Sequence, residues 1–434
     1  MTQSDTERAP PATRKGLRGE TLWAFAAKVG TGVFQFAMSI LLVRMMSVSA
    51  FGFYEFAFRT LGFLLVVSNL GLTWKTLMLA SAAERDSYPA LGSDVSAILK
   101  LTLLWSAALS AGFVMFLNGS GDVVFDASPA TILALFLIMP ALTLLLVVSE
   151  TFRGLRNIRE ASIFSGLFSN GVALAALVLL YVLGVTLGAA SALAIIGLAA
   201  TLACATACFV LNRSIPVFRL ALPREKAKRF LREGMPFLLY NVLVAGALIL
   251  DIWYVKAVFG NEEVGIYALA SRIALFFLIP WMIASAVFRG RLARAIDQAD
   301  YDTVRAIIAI HLKYLGVVSV AMVGGLALFG GPLLALFFPP AFAASLPPML
   351  FLAAAFSVTS AFSVYGICIL FFPGNILKFI VPIVQALVFA VGVGPLASMW
   401  GSTGVGAAML LALSVAAVLQ VVFCRHLLSQ NIRE

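Results

Sequence analysis

The chain has 434 residues, of which 62% are hydrophobic and only 12% are charged, and its mean hydropathy is +1.03. Soluble globular domains are about 45–50% apolar and about 25% charged, so this composition excludes an ordinary soluble protein and indicates an integral membrane protein. The formal net charge of +10 is attributed to membrane topology and anionic lipid; it does not indicate a nucleic-acid partner.

Twelve apolar runs follow one another along the chain. A bilayer core about 30 Å thick needs roughly 20 apolar residues per helix, and the runs have about this length. They cover residues 21–43, 52–70, 95–117, 129–151, 161–184, 188–211, 235–258, 264–287, 306–328, 346–371, 375–396 and 401–424. Segments of about ten alternating residues, which are typical of outer-membrane barrels, do not occur in the sequence. We therefore predict an all-α integral membrane protein with about 12 transmembrane helices.

The basic residues predict the orientation of these helices. Lys and Arg cluster in the N-terminal tail and in the loops of one side, whereas the opposite loops contain only Arg44 and Lys256. Cytoplasmic loops carry the Lys and Arg excess, so both termini are predicted to be cytoplasmic. The predicted organisation is a cytoplasmic tail at 1–20, a six-helix bundle at 21–211, a basic cytoplasmic linker at 212–234, a second six-helix bundle at 235–424 and a cytoplasmic tail at 425–434.

One motif, G-x-Y-x-x-A-x-R, occurs twice, at residues 52–59 and 265–272. The two copies are 213 residues apart, which is close to half the chain. Repeats of this size in an apolar chain are typical of transporters built from two related helical bundles. We therefore expect two pseudo-symmetric bundles. The repeated motif residues are Gly52, Tyr54 and Arg59 in the first copy and Gly265, Tyr267 and Arg272 in the second.

A search for catalytic groups gives no support for an enzyme. The two histidines are His311 and His426, and neither has a Ser, Cys or acidic partner at catalytic spacing. A nucleotide-binding loop of the G-x-x-x-x-G-K type does not occur. We predict a transporter without a cofactor or metal, driven by something other than direct ATP hydrolysis. A proton or sodium gradient is the candidate driving force.

Four ionisable residues near the repeated motif lie inside apolar runs, where each costs roughly 2.5–3.5 kcal/mol on insertion scales. Glu55 lies four residues before Arg59, so the two share a helix face and can pair. Arg272 has no such acid four residues earlier. We expect Asp251, on the preceding antiparallel helix, to be its partner. The residue equivalent to Asp251 in the first half, at an offset of 212, is Ser39.

Two interpretations of these charges stay open. In one, the arginines are neutralised and only hold adjacent helices in register. In the other, they line a central cavity and bind an anion when the cavity opens, because the planar guanidinium donates bidentate hydrogen bonds to phosphate. Lys28 is a third candidate, since its helical neighbours include no acid. Its long stem also allows it to reach the membrane surface without any binding role.

Three segments resemble one family of transporters. They are residues 42–59 with the following Ser-Asn-Leu-Gly-Leu at 68–72, the stretch DIWYVKAVFGNEEVGIYALASR at 251–272, and Phe-Arg-Gly-Leu-Arg at 152–156. These segments resemble the polysaccharide or O-antigen flippases, which are polysaccharide biosynthesis proteins of the multidrug, oligosaccharidyl-lipid and polysaccharide exporter superfamily. The outer loop near 329–348 departs from the family pattern, because it is rich in proline and phenylalanine.

The resemblance implies a flippase of the bacterial cytoplasmic membrane. Its substrate would be a polyprenyl-pyrophosphate-linked oligosaccharide for O-antigen, lipopolysaccharide, capsule or exopolysaccharide synthesis, moved by two bundles that rock around a central cavity. Its partners would be this lipid-linked substrate, membrane lipids and other polysaccharide-assembly membrane proteins.

The resemblance also implies roles for individual residues. Lys28, Arg59 and Arg272 would hold the pyrophosphate. Glu55 and Asp251 would poise the arginines or take up a coupling ion. Gly52 and Gly265 would allow tight turns into the next helix. Tyr54 and Tyr267 would lie at the outer membrane interface as aromatic anchors.

Other functions remain as alternatives at this point. A multidrug antiporter of the same superfamily shares the architecture, but its cavity should be acidic, whereas the unpartnered charge here is basic. A membrane glycan polymerase or ligase should have a long outer loop with catalytic Arg and His, and the longest predicted outer loop carries no charge. A membrane scaffold would not need repeated buried arginines.

Overall fold

A computed structural model describes residues 14–84, 87–119, 129–216, 224–372 and 376–431. Within these ranges all regular structure is helical, and no strand occurs. The helices are α1 (Arg14–Met45), α2 (Val48–Ser68), α3 (Leu72–Ser81), α4 (Tyr88–Gly119), α5 (Pro129–Gly154), α6 (Ile158–Ser162), α7 (Phe168–Val182), α8 (Ala189–Ser214), α9 (Arg224–Ala274), α10 (Ile279–Asp297), α11 (Tyr301–Phe337), α12 (Leu346–Phe371), α13 (Leu377–Trp400) and α14 (Ser402–Asn431). A π-helical turn (Ile163–Leu167) joins α6 to α7. The predicted all-α class is confirmed.

Eleven helical segments in the described ranges are long and apolar enough to cross a membrane, so the protein is a multi-pass membrane protein. One of these segments, Glu225–Ser285, has 61 residues, about three times what a single crossing needs. It contains a break at Gly260, where φ is 80° and ψ is −171°. A left-handed φ is accessible to glycine without a steric penalty, and the chain reverses direction here.

The helices extend beyond the apolar runs that the sequence shows. For example, α11 begins at Tyr301 and ends at Phe337, whereas its predicted run covers 306–328. The side chain of Asp300 caps the start of this helix by accepting a hydrogen bond from the Thr303 amide at 3.0 Å. A hydropathy pattern detects only the part of a helix that lies within the bilayer core. It therefore does not detect a polar first turn such as that of α11.

The packing follows the two halves of the sequence. In the first half, α5 packs against α4 and α8, and α1 against α7; in the second, α12 and α13 pack against α14. The main contact between the halves is made by α2 and α9. The largest apolar core cluster contains buried residues from both helices, including Phe51 of α2 and Val264 of α9.

Two repeated glycines make the crossing of α2 and α9 possible. Gly52 and Gly265 lie within these helices, so the prediction that they form tight turns is wrong. A Cβ added at Gly52 would overlap the backbone oxygen of Asn261, and one added at Gly265 would lie 2.5 Å from the backbone oxygen of Val48. The glycines are needed because the two backbones approach without room for a side chain.

The first turns of α9 pack against α3 and α4 of the first half. Lys75 Nζ lies 2.7 Å from Glu233 Oε2, and Lys226 Nζ lies 2.6 Å from Asp94 Oδ1. Much of the predicted linker is therefore helix. Residues 217–223 of that linker, with 1–13 and 432–434 of the predicted tails, lie outside the described ranges.

Candidate functional site

Four charged side chains meet where α2 and α9 cross. Glu55 and Asp251 are almost fully buried, with 1% and 2% of their side-chain surface exposed. Arg272 Nη2 lies 2.7 Å from Glu55 Oε1. Arg59 Nε lies 3.9 Å from Glu55 Oε2, and Arg59 Nη1 lies 4.0 Å from Asp251 Oδ2. Two acids and two arginines therefore form one network with no formal net charge.

The expected pairing of Asp251 with Arg272 is wrong. Counted from the break at Gly260, Asp251 lies nine residues before it and Tyr267 seven after it, whereas Arg272 lies twelve after it. At 1.5 Å per residue, the hairpin brings Tyr267 rather than Arg272 to the depth of Asp251. Arg272 consequently reaches across to Glu55 on α2.

The two motif tyrosines are part of the network. Both are fully buried, with 0% of their surface exposed, so the prediction that they are anchors at the membrane interface is wrong. The Tyr267 hydroxyl donates to Asp251 Oδ2 at 3.0 Å. Arg272 Nη2 donates to the Tyr54 hydroxyl at 3.4 Å, and the guanidinium lies 5.8 Å from the centroid of the Tyr54 ring. The sequence signal for this role is the position of each tyrosine five residues before a buried arginine in both motif copies.

The contacts of the two arginines reflect the internal repeat of the sequence. Arg59 approaches Asp251, and Arg272 Nη1 donates to Ser39 Oγ of α1. Ser39 and Asp251 are the two positions related by the 212-residue offset. Each arginine thus contacts the equivalent position of the other half. The first half supplies a neutral hydroxyl at this position and the second half an acid.

Arg59 is the less well satisfied of the two arginines. Its Nη2 is buried and has no hydrogen-bond partner among the described residues, and its two carboxylate contacts are at or near 4 Å. The neighbouring Trp253 Nε1 donates to Thr60 Oγ1 at 3.1 Å, so this hydrogen bond does not involve the charged side chains of the network. A buried donor without an acceptor is uncommon in native proteins, so this nitrogen is a donor that the network leaves unused.

Lys28 lies apart from this network. It is exposed on α1, seventeen residues before Met45, the last residue of that helix, and makes no ion pair within the part of the chain that the structure describes. Lys28 is close enough to Arg153 for the two charges to repel; Arg153 itself pairs with Glu150. The structure therefore joins Arg59, Arg272, Glu55 and Asp251, and places Lys28 nearer the other end of the bundle. Among the described residues, no group of three or more His, Cys, Asp or Glu side chains could hold a metal ion.

Solved transporters share this fold. The chain is similar to a multidrug resistance MATE family transporter of the MOP superfamily in an inward-facing conformation, with 17% identity and a TM-score of 0.75 over 93% of this chain and 96% of that chain. It is similar to the lipid II flippase MurJ in an inward closed conformation, with 14% identity and a TM-score of 0.69 over 94% and 87%. A MOP superfamily transporter from Pyrococcus furiosus Vc1, described as having a binding pocket of reverse polarity, aligns with 15% identity and a TM-score of 0.63 over 95% of this chain and 94% of that chain.

Sequence comparison assigns the chain to a family. No curated protein matches it. The profile of the polysaccharide biosynthesis proteins matches residues 17–289, which include both motif copies and every residue of the charged network. Since this match covers more than half of the chain, the protein belongs to the polysaccharide biosynthesis protein family.

Proposed function

We propose that this protein is a flippase that moves a polyprenyl-pyrophosphate-linked oligosaccharide from the inner to the outer leaflet of a bacterial cytoplasmic membrane. In this proposal the 61-residue segment crosses the membrane twice, which gives twelve crossings in two bundles with both termini in the cytoplasm. The junction of α1 and α2 then faces outward. The two bundles rock about the α2–α9 crossing to give alternating access.

The observation that carries the proposal is the buried network of two arginines shared between the halves. When α2 and α9 separate, Glu55 leaves Arg272 and Asp251 leaves Arg59, because these pairs join the two halves. Two guanidinium groups then face the opening cavity. A pyrophosphate satisfies them with bidentate hydrogen bonds, and Arg59 Nη2, which has no hydrogen-bond partner in the closed arrangement, gains an acceptor.

The two acids supply a route for energy coupling. Glu55 and Asp251 are neutralised by arginine in the closed arrangement and lose that partner when the substrate takes it over. A buried carboxylate without a cation is costly, so each acid then takes up a proton or a sodium ion. This exchange links the gradient to the return of the carrier.

Lys28 has a separate role in this scheme. It lies with Arg153 towards the proposed cytoplasmic end, where it meets the pyrophosphate before the substrate reaches the arginines. The basic side chain is exposed and therefore free to make a transient contact. Other polysaccharide-assembly proteins of the membrane would supply and receive the substrate.

A multidrug antiporter is the second candidate, because Glu55 and Asp251 are buried acids in a fold shared with a multidrug transporter. Both acids are already paired with arginine. A cationic drug would have to displace a guanidinium from each of them. The network is therefore better suited to an anionic substrate.

Delivery of lipid-linked oligosaccharide to the outer leaflet, measured in cells that lack their own flippase, tests the proposal. Arg59→Ala, Arg272→Ala and Lys28→Ala are compared with wild type at matched expression, and Lys313→Ala, an exposed lysine of α11, is the control. We expect wild type and control to deliver substrate and the Arg59, Arg272 and Lys28 variants to fail. Failure of wild type with several glycans, together with export of cationic drugs, would favour the antiporter.

A further inference from the structure

A cavity lies within the C-terminal half, and none of the four charged side chains of the network lines it. It has a volume of about 160 Å³ and is lined by residues of α9, α12, α13 and α14. Its apolar walls include Leu248, Val381 and Leu413. Five polar side chains also line it: Tyr240, Thr359, Lys378, Gln385 and Gln420.

Gln385 is a buried polar residue in the wall of the cavity. Only 8% of this residue is exposed, and its Nε2 has no hydrogen-bond partner among the described residues. Buried amide donors are nearly always satisfied in native structures. The Gln385 amide therefore has a donor that no described residue satisfies, and the residue lines the cavity.

Gln420 adds a second amide to the wall of the cavity. It packs over Gly366 of α12: a Cβ added at Gly366 would lie 3.1–3.2 Å from the carbon, oxygen and nitrogen of the Gln420 amide. The glycine leaves the space that this amide occupies. Tyr240 contributes an aromatic ring, held edge-on against Phe379 with ring centroids 6.2 Å apart.

Lys378 gives the cavity a positive charge. It lies at the start of α13, makes no ion pair within the described ranges, and none of the lining residues is acidic. A pyrophosphate usually requires several cationic donors, whereas a single lysine fits a single carboxylate. A polyprenyl tail would gain nothing from the two amides, since burying unpaired amides against hydrocarbon is unfavourable.

The size and position of the cavity fit one part of a large substrate. Its volume is below the roughly 300–1,000 Å³ of typical ligand pockets. Tyr240 lies eleven residues before Asp251 on α9, which corresponds to about 16 Å along the helix. A molecule anchored by its pyrophosphate at the arginines can therefore place another part here.

We propose that this cavity binds a carboxylate-bearing sugar unit of the transported glycan. Lys378 binds the carboxylate, and Gln385 and Gln420 bind ring hydroxyls while the Tyr240 ring packs against the sugar. The inference rests on the proposed flippase function for its biological meaning. The cavity itself can be tested without transport.

Saturation-transfer NMR on the full-length protein in nanodiscs measures this binding directly, with glucuronate, glucose and dodecyl phosphate as probes. We expect glucuronate to bind more tightly than glucose. Lys378→Gln should weaken glucuronate binding about tenfold, as expected for loss of one charge-assisted hydrogen bond, and Lys378→Arg should restore it. Gln385→Leu should weaken both sugars. Lys313→Gln, the same change at an exposed lysine, should leave binding unchanged.

Three results of the binding experiment would overturn the proposal. They are no binding of either sugar, equal binding of both sugars that Lys378→Gln leaves intact, or displacement of glucuronate by dodecyl phosphate with loss of that competition in Gln385→Leu. Delivery assays with glycans that contain or lack a uronic acid separate the two proposals. Binding with the expected variants but no delivery of any glycan would overturn only the flippase function. Delivery that is indifferent to uronic acid and to Lys378→Gln would overturn only the sugar site.

Discussion

Glu55 of α2 lies closer to Arg272 of α9, at 2.7 Å, than to Arg59 of its own helix, at 3.9 Å. The closer contact of the Glu55 carboxylate is therefore the one between the two halves of the protein, and the contact within its own helix is the longer one. A pair four residues apart on one helix would stay intact during a rocking motion. In the proposed rocking motion a pair between the halves has to break, so Glu55 loses Arg272 when the halves separate.

Glu55→Gln should destabilise the protein strongly. Removing one partner of a buried ion pair leaves an uncompensated charge and typically costs about 3–5 kcal/mol. The thermal unfolding temperature of the purified protein measures this effect. Glu150→Gln is the matched control, because Glu150 pairs with Arg153, whose side chain is 45% exposed, and partly exposed pairs contribute about 0–1 kcal/mol. Equal shifts in both variants would contradict the assigned role.

Gly52→Ala should prevent close packing of α2 and α9, because the added methyl group would overlap the backbone of Asn261. We expect loss of folded protein from the membrane fraction, measured by size-exclusion chromatography. Gly62 of the same helix has no atom within 4 Å of an added Cβ. Gly62→Ala should instead be neutral or stabilising by about 0.5–1 kcal/mol, because alanine favours a helix over glycine. A well-folded Gly52→Ala protein would show that the two helices do not touch here.

Tyr267→Phe should cost about 1–3 kcal/mol, since it leaves the buried Asp251 without a hydroxyl donor. The free energy of unfolding measures the loss. Tyr314→Phe, at a position that is 67% exposed, should change it by no more than about 0.5 kcal/mol. If Tyr267 were an interfacial anchor, the two variants would behave alike.

The charged residues of this site were predictable from the sequence. The ion pairs and hydrogen bonds between them were not. The repeat and the cost of burying charge identified Glu55, Arg59, Asp251 and Arg272. Their partners depend on the register of the hairpin at Gly260, where a shift of a few residues changes which side chain meets Asp251, and element boundaries read from hydropathy carry errors of about that size.

Other features were hidden for different reasons. Tyrosine is common both at membrane interfaces and in hydrogen-bonded cores, so residue type alone gave the wrong environment for Tyr54 and Tyr267. The C-terminal cavity has no sequence signature, because Tyr240, Thr359, Lys378 and Gln420 come from four different helices and do not form a motif in the chain. Tertiary packing alone brings them together.

Ser39→Asp should strengthen the contact between the halves. Ser39 already accepts a hydrogen bond from Arg272, and a carboxylate there would add a charged acceptor, equivalent to Asp251 in the other half. Charged hydrogen bonds contribute about 1.5–3 kcal/mol. We therefore expect higher thermal stability and delivery of lipid-linked oligosaccharide slowed by about tenfold or more. Ser39→Asn keeps the size without the charge, and comparable slowing by this variant would rule out the electrostatic explanation.

The ion pairs at the start of α9 attach this part of the helix to the N-terminal half. This affects where the two bundles of the proposed rocking motion would be joined. Lys75 and Asp94 hold the first turns of this helix against the N-terminal half, although in chain order those turns already lead into the second half. Pro236 follows within the same helix and removes one backbone hydrogen bond, so bending is easiest there. In the proposed rocking motion the joint would therefore lie inside α9, a few residues after the predicted linker ends. A C-terminal half that is produced by cutting the chain at the predicted linker would include the first turns of α9. In the intact protein these turns contact the N-terminal half.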